Sequence, residues 1–82
     1  MKIYDFNGKK NICGDRVRLA RQKLRLTQSD LAAKLQLQLE QVEIERDSIS
    51  RIEAGTRFVA DYELKILAKV LKVGASWLID EN

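Results

Sequence analysis

Apolar residues recur along this chain with the period of a helix. Val17, Ala20 and Leu24 fall three and four apart, with Arg16, Arg18, Arg21 and Lys23 between them, which predicts a first helix over residues 15–24. Thr27-Gln28-Ser29-Asp30 reads as a capping box, in which the Thr27 hydroxyl accepts from the amide three residues on and Asp30 reaches back. Leu31, Ala32 and Leu35 then share one face and predict a second helix. From 35 to 44 two periods compete. Leu35, Leu37 and Leu39 alternate as in a strand, while Leu31, Leu35, Leu39 and Val42 fit a longer helix. We read the second helix as ending near residue 38, followed by an extended connection. Ile49 and Ile52 mark the inner face of a short third helix at about 46–54, with Gly55 supplying its left-handed stop. Residues 61–71 are amphipathic, with Leu64, Leu67, Ala68 and Leu71 turned inward and Asp61 and Glu63 in the first turn, where the helix dipole favours acids. Gly74 opens a last short helix carrying Trp77, Leu78 and Ile79. Residues 1–10 show no period and contain the turn signal Asn7-Gly8, so they read as a flexible or irregular arm ahead of one domain over residues 11–82.

Composition narrows the function classes. At 82 residues the chain holds one small domain with a modest core. A hydrophobic share of 45% and a charged share of 33% fit a folded domain rather than disorder. No proline and only four glycines favour helices joined by short connections. The absence of histidine removes His-based triads, His general bases and His metal ligands. Cys13 stands alone, which removes disulfide frameworks and Cys-rich zinc sites and suggests a buried structural thiol in a reducing compartment. No apolar run is long enough to span a membrane, and the first ten residues lack the apolar stretch of a signal peptide. These features predict no enzyme, no cofactor, no metal, no membrane partner and no small-molecule substrate. They predict a cytoplasmic protein without a separate effector or dimerisation domain.

Charge is placed unevenly. Residues 1–25 carry eight basic and two acidic side chains, a local +6, whereas residues 26–82 carry seven basic and ten acidic, a local −3. Phosphate contacts need local Lys and Arg density rather than net charge, so the basic end points to a nucleic-acid partner more strongly than the overall +3 does.

Thr27-Gln28-Ser29-Asp30-Leu31-Ala32-Ala33-Lys34-Leu35, followed by Ser48-Ile49-Ser50-Arg51-Ile52-Glu53-Ala54-Gly55-Thr56-Arg57, resembles the phage-repressor/Cro-like, XRE-type helix-turn-helix family. The pattern continues through Leu64, Leu67-Ala68-Lys69, Leu71 and Val73 into Trp77-Leu78. The resemblance implies an all-α fold, a five-helix bundle of the lambda-repressor-like type. Helices two and three form the helix-turn-helix, and the third enters the DNA major groove. It also implies double-stranded DNA as partner, a role in transcription regulation at the nucleoid, and binding as a homodimer to near-palindromic sites about 34 Å apart. In this chain a dimer surface would come from the last helices or from Leu37, Leu39 and Val42 of the connection.

With Ile49 and Ile52 as anchors, Arg46, Asp47, Ser50 and Arg51 are left as candidate base contacts. An Arg can donate a bidentate pair to guanine O6 and N7, worth about 1–3 kcal/mol of discrimination. By the resemblance, Thr27, Gln28 and Arg57 would touch the DNA backbone, and Arg21 and Glu53 would form a structural ion pair, worth about 0–1 kcal/mol if exposed. Trp77 reads as core rather than as a base-stacking platform.

The chain departs from the family at its turn. The connection between helices two and three is longer than usual and has no glycine, and Arg25 follows helix one where the family often has glycine, which predicts a strained or reshaped end. Glu40, Glu43, Glu45 and Asp47 gather beside the presumed reading head against Arg46 alone. Asp47 reads as the cap of helix three. The rival function is a protein-interaction module, antitoxin- or anti-repressor-like, that uses the acidic, leucine-rich segment 36–45.

Overall fold

Each helix begins and ends where a particular side chain or backbone angle allows it. The computed structural model describes residues 6–80. Five helices follow in order: α1 Gly14–Lys23, α2 Gln28–Gln38, α3 Arg46–Ala54, α4 Asp61–Leu71 and α5 Ala75–Leu78. Among the described residues there is no strand, and the one β-type pairing is an isolated bridge between Phe6 and Lys9. Helix α3 packs against α1 and α2, while α4 packs against α1, α2 and α5. The core they enclose is built from Val17, Ala20, Leu31, Leu35, Ile44, Ile49, Ile52, Leu67, Leu71 and Leu78, with Cys13 among them. Leu24 and Leu64 are half-buried and pack on its edge. Burial also raises the Cys13 thiol above its ordinary pKa, which keeps it protonated and inert.

Asn11 starts α1. Its side-chain oxygen accepts from the amides of Cys13 at 3.1 Å and Gly14 at 2.9 Å, which meets two of the donors that a helix N-terminus leaves open. Gly14 lets α1 approach α3 closely: a β-carbon there would run into the Ile52 carbonyl and stand 2.9 Å from that of Glu53. At the other end the chain reverses through Arg25 at φ +57°, a left-handed angle that costs a residue with a side chain roughly 1–2 kcal/mol. Arg21 stabilises this reshaped end by donating from Nη1 to the Leu26 carbonyl at 2.8 Å.

The capping box of α2 forms as predicted. Thr27 Oγ1 accepts from the Asp30 amide at 3.0 Å, and the Thr27 amide donates back to Asp30 Oδ2 at 2.9 Å. That amide, aided by the hydroxyl, holds the Asp30 carboxyl below its usual value.

The connection from 39 to 45 is organised by Gln36 instead of a glycine turn. Gln36 Nε2 donates to the carbonyls of Leu39 at 3.0 Å and Val42 at 2.8 Å, while its Oε1 accepts from the Ile44 amide at 2.7 Å. These bonds press Ile44 into the core. They also fix where α3 starts, which corrects one expectation: Glu45, not Asp47, is the cap residue. With Ile44 tied down, Glu45 takes the extended conformation, its amide donates to Ser48 Oγ at 3.2 Å, and Asp47 falls inside the first turn.

Of the arm expected over residues 1–10, residues 1–5 lie outside the described residues. Residues 6–9 form a tight hairpin turn, with Asn7 at φ +53° and Gly8 at φ +79°, the left-handed pair that a two-residue hairpin requires. The Lys10 amide donates to the Gly55 carbonyl at 2.8 Å and docks the turn on the end of α3.

Candidate nucleic-acid interface

Helix α3 is fixed from behind and open in front. Ile49 and Ile52 are fully buried on its inner face. Arg46, Asp47 and Arg51 are exposed on the outer face, and Ser50 is half-buried at its edge. Arg51 Nη2 stands 2.9 Å from Asp47 Oδ2, one turn earlier. The carboxylate therefore orients the guanidinium and leaves further N–H groups of its five-donor fork directed to solvent.

Glu53 ties three helices together from beneath. It receives Arg21 Nε at 2.6 Å on Oε2, and Arg21 Nη2 at 3.0 Å on Oε1. Gln28 Nε2 donates to the same Oε1 at 3.2 Å, and Arg18 Nε lies 3.7 Å from it. The Glu53 side chain is only 4% exposed and that of Arg21 12%, so the value given above for an exposed pair does not apply. A carboxylate this deep is stable only because each oxygen is hydrogen-bonded. In turn the bonds to Glu53 raise the Arg21 pKa. Gln28, at the start of α2, is thereby joined to α3 as well as placed at a helix N-terminus whose amides favour an anion.

Arg57 does not point freely outward. Its Nη1 and Nη2 donate to Glu63 Oε1 at 3.1 Å and Oε2 at 2.9 Å, and Nη1 also donates to the Phe58 carbonyl at 3.0 Å. Burial opposes ionisation of Glu63, but the Arg57 hydrogen bonds and the Ala60 amide outweigh it and hold the carboxyl below its ordinary value. Arg57 is thus drawn inward, where it shapes the turn between α3 and α4.

Asn11 and Gln36 carry much of the positioning, and neither stands out in the sequence as a candidate. Asn11 Nδ2 donates to the carbonyls of Ile52 at 3.1 Å and Arg57 at 2.8 Å, so one side chain caps α1, holds the end of α3 and holds the following loop. An Asn just before an apolar helix is a capping signal. Gln36 inside an ambiguous leucine run gives none. Trp77 packs on the core edge, with the Arg16 guanidinium 4.6 Å from its ring centroid and Arg16 Nη1 donating to its carbonyl at 3.0 Å. Glu40, Glu43 and Glu45 are exposed, as is Asp47. Among the described residues no group of His, Cys, Asp and Glu could hold a metal ion, and no helix is long and apolar enough to cross a membrane.

A short helix sealed behind, polar in front, and packed against a capped partner helix makes a helix-turn-helix arrangement. A helix-turn-helix family model matches residues 17–78. The chain belongs to that family, the phage-repressor/Cro-like, XRE-type helix-turn-helix proteins. No curated protein matches it.

Proposed function

We propose that the chain recognises a specific double-stranded DNA site and regulates transcription by placing α3 in the major groove. The observation that carries this reading is the orientation of α3, which Ile49, Ile52 and Glu53 lock from behind while Arg46, Asp47 and Arg51 stay exposed. At about 10–12 Å across with its side chains, a helix such as α3 fits a groove about 12 Å wide. Arg51, steadied by Asp47, donates to a guanine edge, and Asp47 has a free lone pair for a cytosine amine. Arg46 and Ser50 flank them. Thr27 and Gln28 bring the amino end of α2 to a phosphate, where contacts set register rather than sequence. Arg57 supports the loop after α3 and reaches a phosphate only by sharing Glu63.

The test is an anisotropy titration on duplex DNA across a salt series. Binding with a steep negative salt slope supports the reading, and no binding below about 100 µM at low salt contradicts it, since non-specific affinities alone fall near 10⁻⁴–10⁻⁶ M.

One observation favours a second reading. Leu37 is 78% exposed and Tyr62 54%. Both line an open groove of about 720 Å³ together with Leu39, Glu40 and Val42. Exposed apolar positions grouped this way mark protein contacts, either between two copies on adjacent half-sites or with another protein. Light scattering of the free chain and of its DNA complex decides: a monomer in both removes the homodimer.

A further inference from the structure

We propose that the hairpin at residues 6–9, together with Lys10, is a second phosphate-binding element, in which Lys9 and Lys10 grip the DNA backbone beside the carboxyl end of α3. This rests on the DNA-binding reading and extends it to residues that neither the family pattern nor the reading head includes.

Three observations place the two lysines there. The Lys10 amide is bonded to the Gly55 carbonyl at 2.8 Å, immediately after α3 ends. The aliphatic stem of Lys9 lies over Gly55, so closely that a β-carbon on that glycine would stand 3.0 Å from Lys9 Cδ. The Lys10 ammonium lies 5.5 Å from the centroid of the Phe58 ring, in the loop that follows. The hairpin is therefore seated on α3 by backbone and side-chain contacts, and it carries its two ammonium groups on exposed residues. Neither ammonium has a carboxylate partner among the described residues, unlike Arg21, Arg51 and Arg57.

Groove geometry then says what the lysines meet. A recognition helix reads bases with its amino-terminal residues. With its amino end on the bases, the carboxyl end of α3 leaves the groove at its wall, which is a phosphate strand. Lys9 and Lys10 are fixed at that end. With Arg57 committed to Glu63, they are the cations the structure holds ready beside this loop. A lysine near a helix C-terminus also neutralises the dipole, but that role releases no counterions when DNA binds, so salt dependence separates the two.

The experiment measures the affinity of the full chain for a fluorescein-labelled 24-base-pair duplex of mixed sequence between 50 and 200 mM salt. Lys9→Ala/Lys10→Ala is compared with wild type, with Lys9→Arg/Lys10→Arg, and with Lys65→Ala on α4. Each phosphate contact contributes about 0.9 to the slope of log K against log salt. The double alanine variant is expected to lose about 1.8 from that slope, so its affinity falls about twelvefold less than that of wild type over this range. The arginine pair keeps the wild-type slope, as does Lys65→Ala. A wild-type slope in the double alanine variant overturns the proposal while leaving α3 as the reading helix. Failure of the wild-type chain to bind the duplex at low salt overturns the DNA-binding reading itself and this element with it.

Discussion

Asp47 Oδ2 and Arg51 Nη2 lie 2.9 Å apart on the solvent face of α3, four residues from each other. Both side chains are more than 60% exposed, so the pair adds only about 0.3–0.5 kcal/mol to stability. On the proposed reading its role is to orient the Arg51 guanidinium toward a base edge. Arg51→Ala is expected to weaken binding to a preferred duplex about tenfold or more while changing binding to scrambled DNA by less than threefold, in line with about 1–3 kcal/mol per bidentate base contact. Equal losses on both duplexes would mean that Arg51 touches only phosphate. Asp47→Ala removes a negative charge beside the DNA, so it is expected to strengthen scrambled-DNA binding and narrow the gap between the two duplexes.

Glu53 is the joint on which α1, α2 and α3 meet. Arg21→Ala leaves a carboxylate that is 4% exposed without its main partner. Breaking a buried pair costs about 3–5 kcal/mol; Arg18 and Gln28 remain, so a loss of about 2–3 kcal/mol is expected in urea denaturation. A change below about 0.5 kcal/mol would show that the pair is no more than a surface contact.

Gln36→Ala removes three hydrogen bonds from the connection at once. At about 1 kcal/mol per neutral bond the expected loss is about 2–3 kcal/mol. Amides from 39 to 45 should also exchange faster in hydrogen-exchange measurements, with α4 unchanged. Uniform acceleration over the whole chain would mean that Gln36 does not act locally.

Below about pH 8 stability should depend on pH only on the acid side, whereas the raised Cys13 thiol adds a loss in the alkaline range. The folded-state pKa of Glu63 lies below its ordinary value, so its contribution is present above the unfolded value, near 4.3, and is lost as pH falls through the folded value. Asp30 titrates in the same sense but is fully exposed. With no histidine in the chain, Tm should stay flat between about pH 6 and 8 and drop below about pH 4.5. Glu63→Gln should lower the plateau and make the acid decline shallower. An unchanged decline would remove Glu63 as its cause.

What the sequence made legible was what local chemistry dictates. Helix periods, the Thr27–Asp30 capping box and the Gly55 stop all act within a few residues and read correctly, as does the turn signal of Asn7-Gly8, whose hairpin within the expected irregular arm is not legible. Glu53, Arg57 and Asn11 behave differently because long-range burial decides their partners. The Arg21–Glu53 pair was implied by family resemblance, but its depth was not, since exposure depends on how α1 and α2 close over α3. Arg57 looked outward because Glu63 reads as a first-turn acid of α4, and only the folded loop turns them toward each other. The third helix spans the residues its period predicts, but its cap is Glu45 rather than Asp47, because Gln36, eight residues before Ile44, holds the Ile44 amide.

The most direct test enriches duplexes from a randomised pool on the immobilised chain and then titrates wild type and Arg51→Ala against the enriched duplex and its scramble. The expected result is an enriched motif containing guanine that wild type binds at least a thousandfold more tightly than scrambled DNA, with most of that preference lost in Arg51→Ala. An unenriched pool, with equal affinity for enriched and scrambled duplexes, would contradict sequence recognition by α3.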